Sequence, residues 1–348
     1  MQSERRRALF GFGVGGPMDL YRTVRRGLFA IPPETTHHVA HTALGLPLPW
    51  ERIGGAVTDP ALRTSLAGIE LANPVGLAAG FDKTGRRLGA LGRLGFGYVV
   101  AGTFTRAPRR GNPRPTIVRY EHRSSMVNAM GLPNPGAVAA ARALAGTPRT
   151  SPRFASIADE AVHDVVETHA LLEPHVDAIE LNASCPNVSW GRDRDNEAHL
   201  AELLAAFGAH RTPLFVKLPP FRGDAERDAV LAMASVAIDG GADGLTCSNT
   251  RLVREWRLSR AVGGLSGRAL FDETPRIVER VVAATRAEVP VNACGGVGSA
   301  AEARMCLEAG AATVQIYTAL IFQGPRVVRS LTSGLASALQ DVEAPVVR

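Results

Sequence analysis

Hydrophobic and polar positions alternate on two length scales after about residue 71. Short apolar runs rich in β-branched residues are separated by longer alanine-rich stretches that carry Arg and Glu at helical spacing. This alternation is typical of βαβ units, in which each parallel strand is followed by a helix that packs on the sheet. Eight candidate strands span residues 75–79, 98–101, 154–158, 178–181, 214–218, 244–247, 289–293 and 313–316. They predict an α/β fold closed as a (β/α)8 TIM barrel over about residues 51–340.

The N-terminal part of the chain has a different pattern. Residues 1–17 contain consecutive arginines and several glycines without periodicity, and we expect a flexible tail there. Residues 18–50 contain two amphipathic segments separated by Pro32 and Pro33, which predicts a helical hairpin. The predicted apolar faces consist of Leu20, Tyr21, Val24 and Leu28 in the first helix and Val39, Ala40, Ala43 and Leu44 in the second.

A basic side on the first predicted helix comes from Arg22, Arg25 and Arg26. A basic amphipathic helix can lie on an anionic membrane surface. The hairpin could equally serve only to cover the main domain, and the pattern favours neither role. No run of eighteen or more apolar residues occurs, so we expect no segment that spans a bilayer.

Residues 105–134 form a long insertion after the second predicted strand. The segment is rich in Pro, Arg and Gly and exceeds the length of an ordinary βα loop. We therefore expect it to carry function or to form a small hairpin.

Composition narrows the range of partners. The chain has 348 residues, 45% of them hydrophobic and 21% charged, as in ordinary globular proteins. Its net charge of +6 suits an anionic lipid, a phosphorylated ligand or nucleic acid. Aromatic residues make up only 5% and no basic stripe interleaves with them, so nucleic acid is not an expected partner.

Cysteine and histidine spacing argues against a metal. The four cysteines, Cys185, Cys247, Cys294 and Cys306, show no C-x-x-C spacing, which excludes the usual zinc and disulfide patterns and fits a reducing, cytosolic setting. The histidines at 37, 38 and 41 have no carboxylate or thiol nearby at ligand spacing. We expect no metal site.

Residues 182–187 carry the most specific chemistry. Asn182 and Asn187 flank Cys185 directly after the fourth predicted strand. Carboxamides can bind the carbonyl and N–H edges of a planar polar ring, and a thiolate beside them can remove a proton from it. The same six residues would also suit a plain strand-to-loop turn with a small buried cysteine.

Polar residues and glycines also follow the other predicted strands, at the end of the barrel where active sites lie. Gly295 and Gly296, with Gly267 upstream and Tyr317 and Thr318 after the next strand, predict a phosphate site from exposed backbone N–H groups. Lys217 could stabilise negative charge on a reduced flavin ring. The remaining donors would surround an anionic, imide-like substrate; they are Lys83, Asn128, Asn182, Asn187 and Asn249.

Taken together, these motifs resemble those of the dihydroorotate dehydrogenase family. The resemblance runs from Met18 through residues 73–83, 128–134, 182–187, 248–250, 263–267 and 295–296. It implies a barrel that binds FMN and oxidises dihydroorotate to orotate in pyrimidine synthesis. The hairpin implies the quinone-linked (class 2) branch, in which the hairpin forms the quinone entrance and the protein is cytoplasmic, associated peripherally with the inner face of the cell membrane.

The resemblance also implies roles for individual residues. Cys185 would remove a C5 proton of the substrate while a hydride passes from C6 to the flavin. Substrate positions are Lys83, Asn128, Asn182, Asn187, Asn249 and Thr250. FMN positions are Ala79, Gly80, Thr103, Ser156, Asn182, Lys217, Ser248, Gly267, Gly296, Tyr317 and Thr318.

Three positions depart from the quinone-linked pattern. Quinone-linked members usually have Ser as the base, and Cys185 resembles the soluble (class 1) branch. Ser156 is the nearest candidate for a flavin contact that is Asn in relatives, and Leu132 replaces an aromatic residue of the substrate loop. Two alternatives follow: an FMN enzyme that acts on another dihydropyrimidine-like cyclic imide, or a flavin-free phosphate-binding barrel.

Overall fold

Eight parallel strands close into a barrel, which confirms the predicted TIM-barrel fold. The computed structural model describes residues 17–55, 57–183 and 196–343. Within these ranges the strands are β1 (Thr64–Leu66), β2 (Ile69–Leu71), β3 (Val75–Asp82), β4 (Tyr98–Phe104), β5 (Ile117–Tyr120), β6 (Ser125–Asn128), β7 (Arg153–Ile157), β8 (Ala178–Leu181), β9 (Leu214–Leu218), β10 (Gly244–Cys247), β11 (Arg251–Arg254), β12 (Val262–Gly267), β13 (Val291–Cys294) and β14 (Thr313–Ile316).

Helices follow most barrel strands, as the βαβ pattern requires. They are α1 (Pro17–Ala30), α2 (Pro33–Ala43), α3 (Trp50–Gly54), α4 (Leu88–Arg93), α5 (Ala137–Gly146), α6 (Val162–Leu172), α7 (Asn196–Phe207), α8 (Asp224–Asp239), α9 (Thr274–Ala284), α10 (Ala300–Glu308), α11 (Thr318–Gln323) and α12 (Val327–Glu343). Around the barrel the strand order is β10-β13-β14-β3-β4-β7-β8-β9, so β8 and β14 lie on opposite sides.

The predicted barrel strands match the observed ones, with two extensions. β3 continues through Asp82 and β4 through Phe104, so Gly80 and Thr103 lie within strands rather than after them. In β3 the pairing with β4 shifts register between Leu77 and Asp82. Such an irregularity redirects side chains at the rim of a barrel.

Aromatic side chains fill one end of the barrel interior. Phe154 is 1% exposed and lies between Tyr98 and Phe215, at ring-centroid distances of 4.7 and 5.6 Å. The β1–β2 hairpin adds buried Leu66 and Leu71 to the same cluster. Burying each such apolar side chain contributes roughly 1.5–3 kcal/mol. This end is therefore a packed core, and the site must lie at the other.

A separate antiparallel sheet lies beside the barrel, in the strand order β11-β12-β6-β5. The β5–β6 pair confirms the hairpin expected within residues 105–134. The β11–β12 pair was not predicted; it joins the first pair through β12 and β6, where Gly264 lies opposite Asn128. This sheet holds Asn128 and the residues around Gly267 next to each other.

The N-terminal helices α1 and α2 pack on the barrel through only part of their predicted apolar faces. Tyr21 and Leu28 are half-buried and Leu44 is buried, but Val24 and Val39 are 48% and 44% exposed. Val24 and Val39, although part of the predicted apolar faces, are therefore exposed to solvent. Among the described residues, no helix is both long and apolar enough to cross a membrane.

Candidate active site

A cavity of about 370 Å³ opens at the C-terminal ends of the barrel strands, beneath the antiparallel sheet. Its volume falls in the range of small-molecule sites. The predicted site residues that line it are Ala79, Gly80, Lys83, Thr103, Asn128, Asn182, Lys217, Asn249, Thr250, Gly267, Gly296, Tyr317 and Thr318. One cavity therefore brings together residues as far apart in sequence as Ala79 and Thr318.

Two carboxamides form the centre of one wall. Asn249 Nδ2 donates to Asn182 Oδ1 at 3.0 Å, and Asn182 Nδ2 donates to Thr103 Oγ1 at 3.3 Å. The Thr103 and Ser156 hydroxyls are 3.0 Å apart. Because each amide is held by another polar group, the carboxamide planes are fixed before any ligand binds.

Ser156 and Ser248 do not line the cavity. Ser156 is fully buried and lies behind Thr103, and Ser248 is 2% exposed. Their proposed contacts with a cofactor stay predictions. Cys185 and Asn187 lie outside the described residues.

Lys83 supplies a cation on the rim. Its ammonium donates to the Gly80 carbonyl, and burial lowers the Lys83 pKa to about 8. The neighbouring carboxylate of Asp82 acts in the opposite direction but does not cancel the effect of burial. Lys83 can thus change charge within the neutral to mildly alkaline range.

Lys217 supplies a second cation at the base of the cavity. Its Nζ atom lies 3.4 Å from Glu180 Oε1 and 3.3 Å from Gln315 Oε1. Burial disfavours the charged ammonium, but the polar and charged neighbours of Lys217, Glu180 among them, outweigh burial and the Lys217 pKa is raised. The cavity floor therefore carries a fixed positive charge.

The opposite end of the cavity is lined by glycine backbone. A Cβ on Gly267 would lie 2.4 Å from the Ser124 carbonyl oxygen, and one on Gly296 would lie 2.6 Å from the Gly267 carbonyl oxygen. Both glycines also have positive φ, at 92° and 75°. Only glycine fits at such positions, and it leaves backbone groups accessible to a ligand. The Thr318 and Ser266 hydroxyls, 3.1 Å apart, lie beside them.

Comparison with known proteins shows what the chain is related to. The family model described as dihydroorotate dehydrogenase matches residues 61–339. The chain belongs to the dihydroorotate dehydrogenase family.

Its curated relatives in the dihydroorotate dehydrogenase family carry the quinone-linked name. "Dihydroorotate dehydrogenase (quinone)" of Rhodospirillum rubrum is 36% identical over 339 residues, covering 92% of this chain and 91% of the relative. The protein of the same name from Halobacterium salinarum is 35% identical and covers 92% and 96%. These similarities support the class 2 branch.

A solved structure agrees with the sequence relatives. The crystal structure of the Eimeria tenella dihydroorotate dehydrogenase in complex with ferulenol has a TM-score of 0.79 and 28% sequence identity to this chain. The match covers 92% of this chain and 95% of the Eimeria chain.

Sequence reasoning missed several polar residues at this site. Glu180 and Gln315 lie inside strands that read as apolar runs, and Cys294 reads as a strand-end residue of no special chemistry. Arg268 also lines the cavity, and its Nε atom is 2.9 Å from Glu302 Oε1. Glu180 could have been noticed as a charged residue inside an otherwise apolar strand. Because a buried charge normally has a partner, its position predicts a cation nearby.

Proposed function

We propose that the chain oxidises dihydroorotate to orotate with FMN and passes the electrons to a quinone. The observation that carries the proposal is the hydrogen-bonded pair of Asn182 and Asn249 in one cavity with Lys83, Asn128 and Lys217. The amides can pair with the N–H and C=O groups of a dihydropyrimidine ring, and Lys83 can pair with its carboxylate. Membership of the dihydroorotate dehydrogenase family supports the same reaction.

The residues of the cavity fit FMN. Gly267 and Gly296 line the cavity at positions where a Cβ would clash with neighbouring backbone, and their own backbone N–H groups could bind a phosphate. Lys217 offers a buried cation for a ring system that becomes anionic on reduction. We propose that the FMN set also includes Ala79, Gly80, Thr103, Ser156, Asn182, Ser248, Tyr317 and Thr318.

In the proposed mechanism the chain binds, orients and deprotonates the substrate. When bound, FMN supplies the chemistry of a hydride acceptor. Asn128, Asn182, Asn187, Asn249 and Thr250 would hold the substrate ring in one orientation. Fixing two reacting groups in position removes most of the entropy cost of bringing them together.

Cys185 is the proposed general base. It follows Asn182 by three residues, so the chain can bring it to the same ring. A thiol has a reference pKa of about 8.5 and becomes a base near neutral pH when its surroundings favour the thiolate. Lys83 and Lys217 are positive charges of the kind that favour a nearby anion.

The proposed quinone route lies between the N-terminal hairpin and the barrel. Phe322 lines the cavity, and its ring meets Phe29 of α1 edge to face at 5.3 Å. The Arg119 guanidinium lies 4.3 Å from the centre of the Phe29 ring and donates to the Ile31 carbonyl. Tyr21 donates to the Ile321 carbonyl at 2.7 Å. This apolar and basic boundary suits a quinone, which is apolar with polar carbonyl groups.

The outer face of the hairpin suits a membrane surface. Its exposed large apolar residues are Val24, Val39, Leu46 and Leu48, and Arg22 and Arg26 are also exposed. Apolar side chains beside arginines favour binding to an anionic bilayer. We propose that the protein associates peripherally with the inner face of the cell membrane through this surface, and that residues 18–50 and 51–340 act as the membrane-facing and catalytic units.

Anaerobic mixing of the purified protein with dihydroorotate tests the proposal. We expect FMN to co-purify and its visible absorbance to bleach rapidly, with orotate formed in equal amount. Dihydrouracil, which lacks the carboxylate that Lys83 would bind, should bleach the flavin much more slowly. Equal rates with both would favour the alternative of a different cyclic imide. A colourless protein that takes up no added FMN would refute the proposal.

A further inference from the structure

A buried polar layer lies directly below the cavity, and among its members only Lys217 has a role in the proposed mechanism so far. Its members come from four barrel strands: Glu180 in β8, Lys217 in β9, Thr246 in β10 and Gln315 in β14. The interior of a TIM barrel is usually filled by branched aliphatic side chains. An ion pair in this layer of the barrel is unusual and therefore needs a functional explanation.

Glu180 is the centre of this layer. Its side chain is fully buried, and Lys217 donates to Oε1 at 3.4 Å. Thr246 Oγ1 and Gln315 Nε2 donate to Oε2 at 3.0 and 3.1 Å, the latter from the opposite side of the barrel. Every described donor aimed at Glu180 favours its ionised form.

Among the residues that the structure describes, the other neighbours of Lys217 do not supply a negative charge near neutral pH. Gln315 is neutral, and burial raises the pKa of the Cys294 thiol, which keeps that side chain protonated. Glu180 is therefore the group that balances the ammonium. Only Lys217 of the pair lines the cavity, so the positive end of the pair points toward the ligand.

The carboxylate is also fixed in place from below. Asn292 Nδ2 donates to Thr246 Oγ1 at 3.3 Å, and Thr313 Oγ1 donates to Asn292 Oδ1 at 2.6 Å. The Tyr98 hydroxyl lies 2.8 Å from Thr313 Oγ1. This continuous network extends from the ion pair toward the aromatic end of the barrel and restrains Glu180 to one position.

We propose that Glu180 is a positioning residue that partly offsets the charge of Lys217 and thereby sets the reduction potential of the bound FMN. An uncompensated cation would stabilise the reduced, anionic flavin and make it a poorer donor to the next acceptor. A carboxylate behind the ammonium weakens that field while holding the ammonium in place. The proposal rests on the proposed function, because it requires FMN in the cavity.

The test is the midpoint potential of FMN bound to the Glu180→Gln variant. Gln has the same size, so the change removes the charge and leaves the packing. At about pH 5, at or below the pKa of roughly 5–6 documented for deeply buried lysines, Lys217 keeps at least half of its charge without Glu180, and we expect a more positive potential. The expected shift corresponds to at least a tenfold gain in affinity for reduced over oxidised FMN, equivalent to about 30 mV for a two-electron couple.

Three further variants separate charge from structure. Glu180→Asp keeps the carboxylate, so its FMN potential should be close to that of the unmodified protein. Thr246→Val removes one hydrogen bond to Glu180 but leaves its charge and its contacts with Lys217 and Gln315, so it should change the ratio of affinities for reduced and oxidised FMN by less than about threefold. The double variant Glu180→Gln/Lys217→Gln leaves no unpaired buried charge, so it should fold even if the single variant does not. We expect its potential to lie within about 30 mV of that of the unmodified protein, equivalent to a tenfold change in the ratio of affinities for reduced and oxidised FMN.

Two results would overturn the proposal. One is an unchanged or more negative potential in Glu180→Gln with FMN fully bound. The other is a double variant whose potential falls by more than the 30 mV equivalent of tenfold, which would mean that Glu180 leaves most of the Lys217 charge uncompensated. Failure of the unmodified protein to bind FMN is a separate outcome that would refute the proposed function itself.

Discussion

Binding of orotate should become weaker as the pH rises above 8, because Lys83 loses its charge there. Burial lowers the Lys83 pKa to about 8, so the charged form dominates below that value and disappears above it. A substrate carboxylate within about 4 Å would contribute up to roughly 4 kcal/mol at an effective dielectric constant near 20, equivalent to about three pKa units. The Lys83 pKa in the complex would then exceed 10.

The expected change in orotate affinity follows from the Lys83 pKa in the free protein and in the complex. If only the protonated lysine binds well, the dissociation constant of orotate rises about tenfold between pH 7 and pH 9, or about 1.4 kcal/mol. At pH 8 half of the free protein must take up a proton on binding, so about half a proton is absorbed per orotate bound. Titration calorimetry in buffers of different ionisation enthalpy measures both quantities.

The assay needs a background without a second titrating group. Cys185 has a reference pKa of about 8.5 and would titrate in the same range, so the measurement uses the Cys185→Ala variant, which binds without turnover. Adding Lys83→Met should weaken orotate binding and make it independent of pH. A pH-independent affinity with no proton uptake in the Cys185→Ala protein would show that Lys83 does not bind the carboxylate.

Other predictions concern the base, the hairpin and the core. Cys185→Ala should slow bleaching of the flavin by dihydroorotate by roughly 10²- to 10⁴-fold in stopped-flow traces while FMN stays bound; unchanged kinetics would exclude this thiol as the base. Val24→Asp with Val39→Asp should reduce sedimentation with anionic vesicles and turnover with a long-chain quinone but leave bleaching by dihydroorotate unchanged, whereas equal loss of both activities would contradict the proposed route. Phe154→Ala should lower the free energy of unfolding by about 3–5 kcal/mol in denaturant titration, against less than about 0.5 kcal/mol for exposed Val138→Ala; similar values for the two would contradict the aromatic core.

The sequence predicted the barrel well because its strands are buried on both faces. Strands such as β9 and β14 read as short apolar runs bounded by turn residues, and helical stretches separate them. The β11–β12 pair escaped prediction for the opposite reason. β12 contains Gly263, Gly264 and Gly267 within six residues, and glycine disfavours strands unless other contacts hold them. Those contacts come from β6, far away in sequence.

The location of a polar residue at the cavity could be predicted where it follows a strand end, and could not where it depends on distant partners. Asn182 and Asn249 could be placed at the cavity from their positions after strands, while their roles stay predictions. The role of Glu180 could not, since its partners Lys217, Thr246 and Gln315 lie 37, 66 and 135 residues further along the chain. A lone Glu in an apolar run has no predictable partner until the barrel closes.

The proposed cysteine base and the proposed quinone-linked hairpin are physically compatible. The proposed substrate contacts come from the ends of β3, β6, β8 and β10, whereas the hairpin contacts α11, β5 and, through His37 and His41, Phe81 and Asp82 of β3. The two sets share no side chain, so a change in one need not alter the geometry of the other. The base, exemplified by Cys185, can therefore be exchanged without disturbing the route to the acceptor. In the proposed function Lys217, on the cavity floor, takes part in both half-reactions, so its balance with Glu180 should change the rates of both, while hairpin substitutions should change only one.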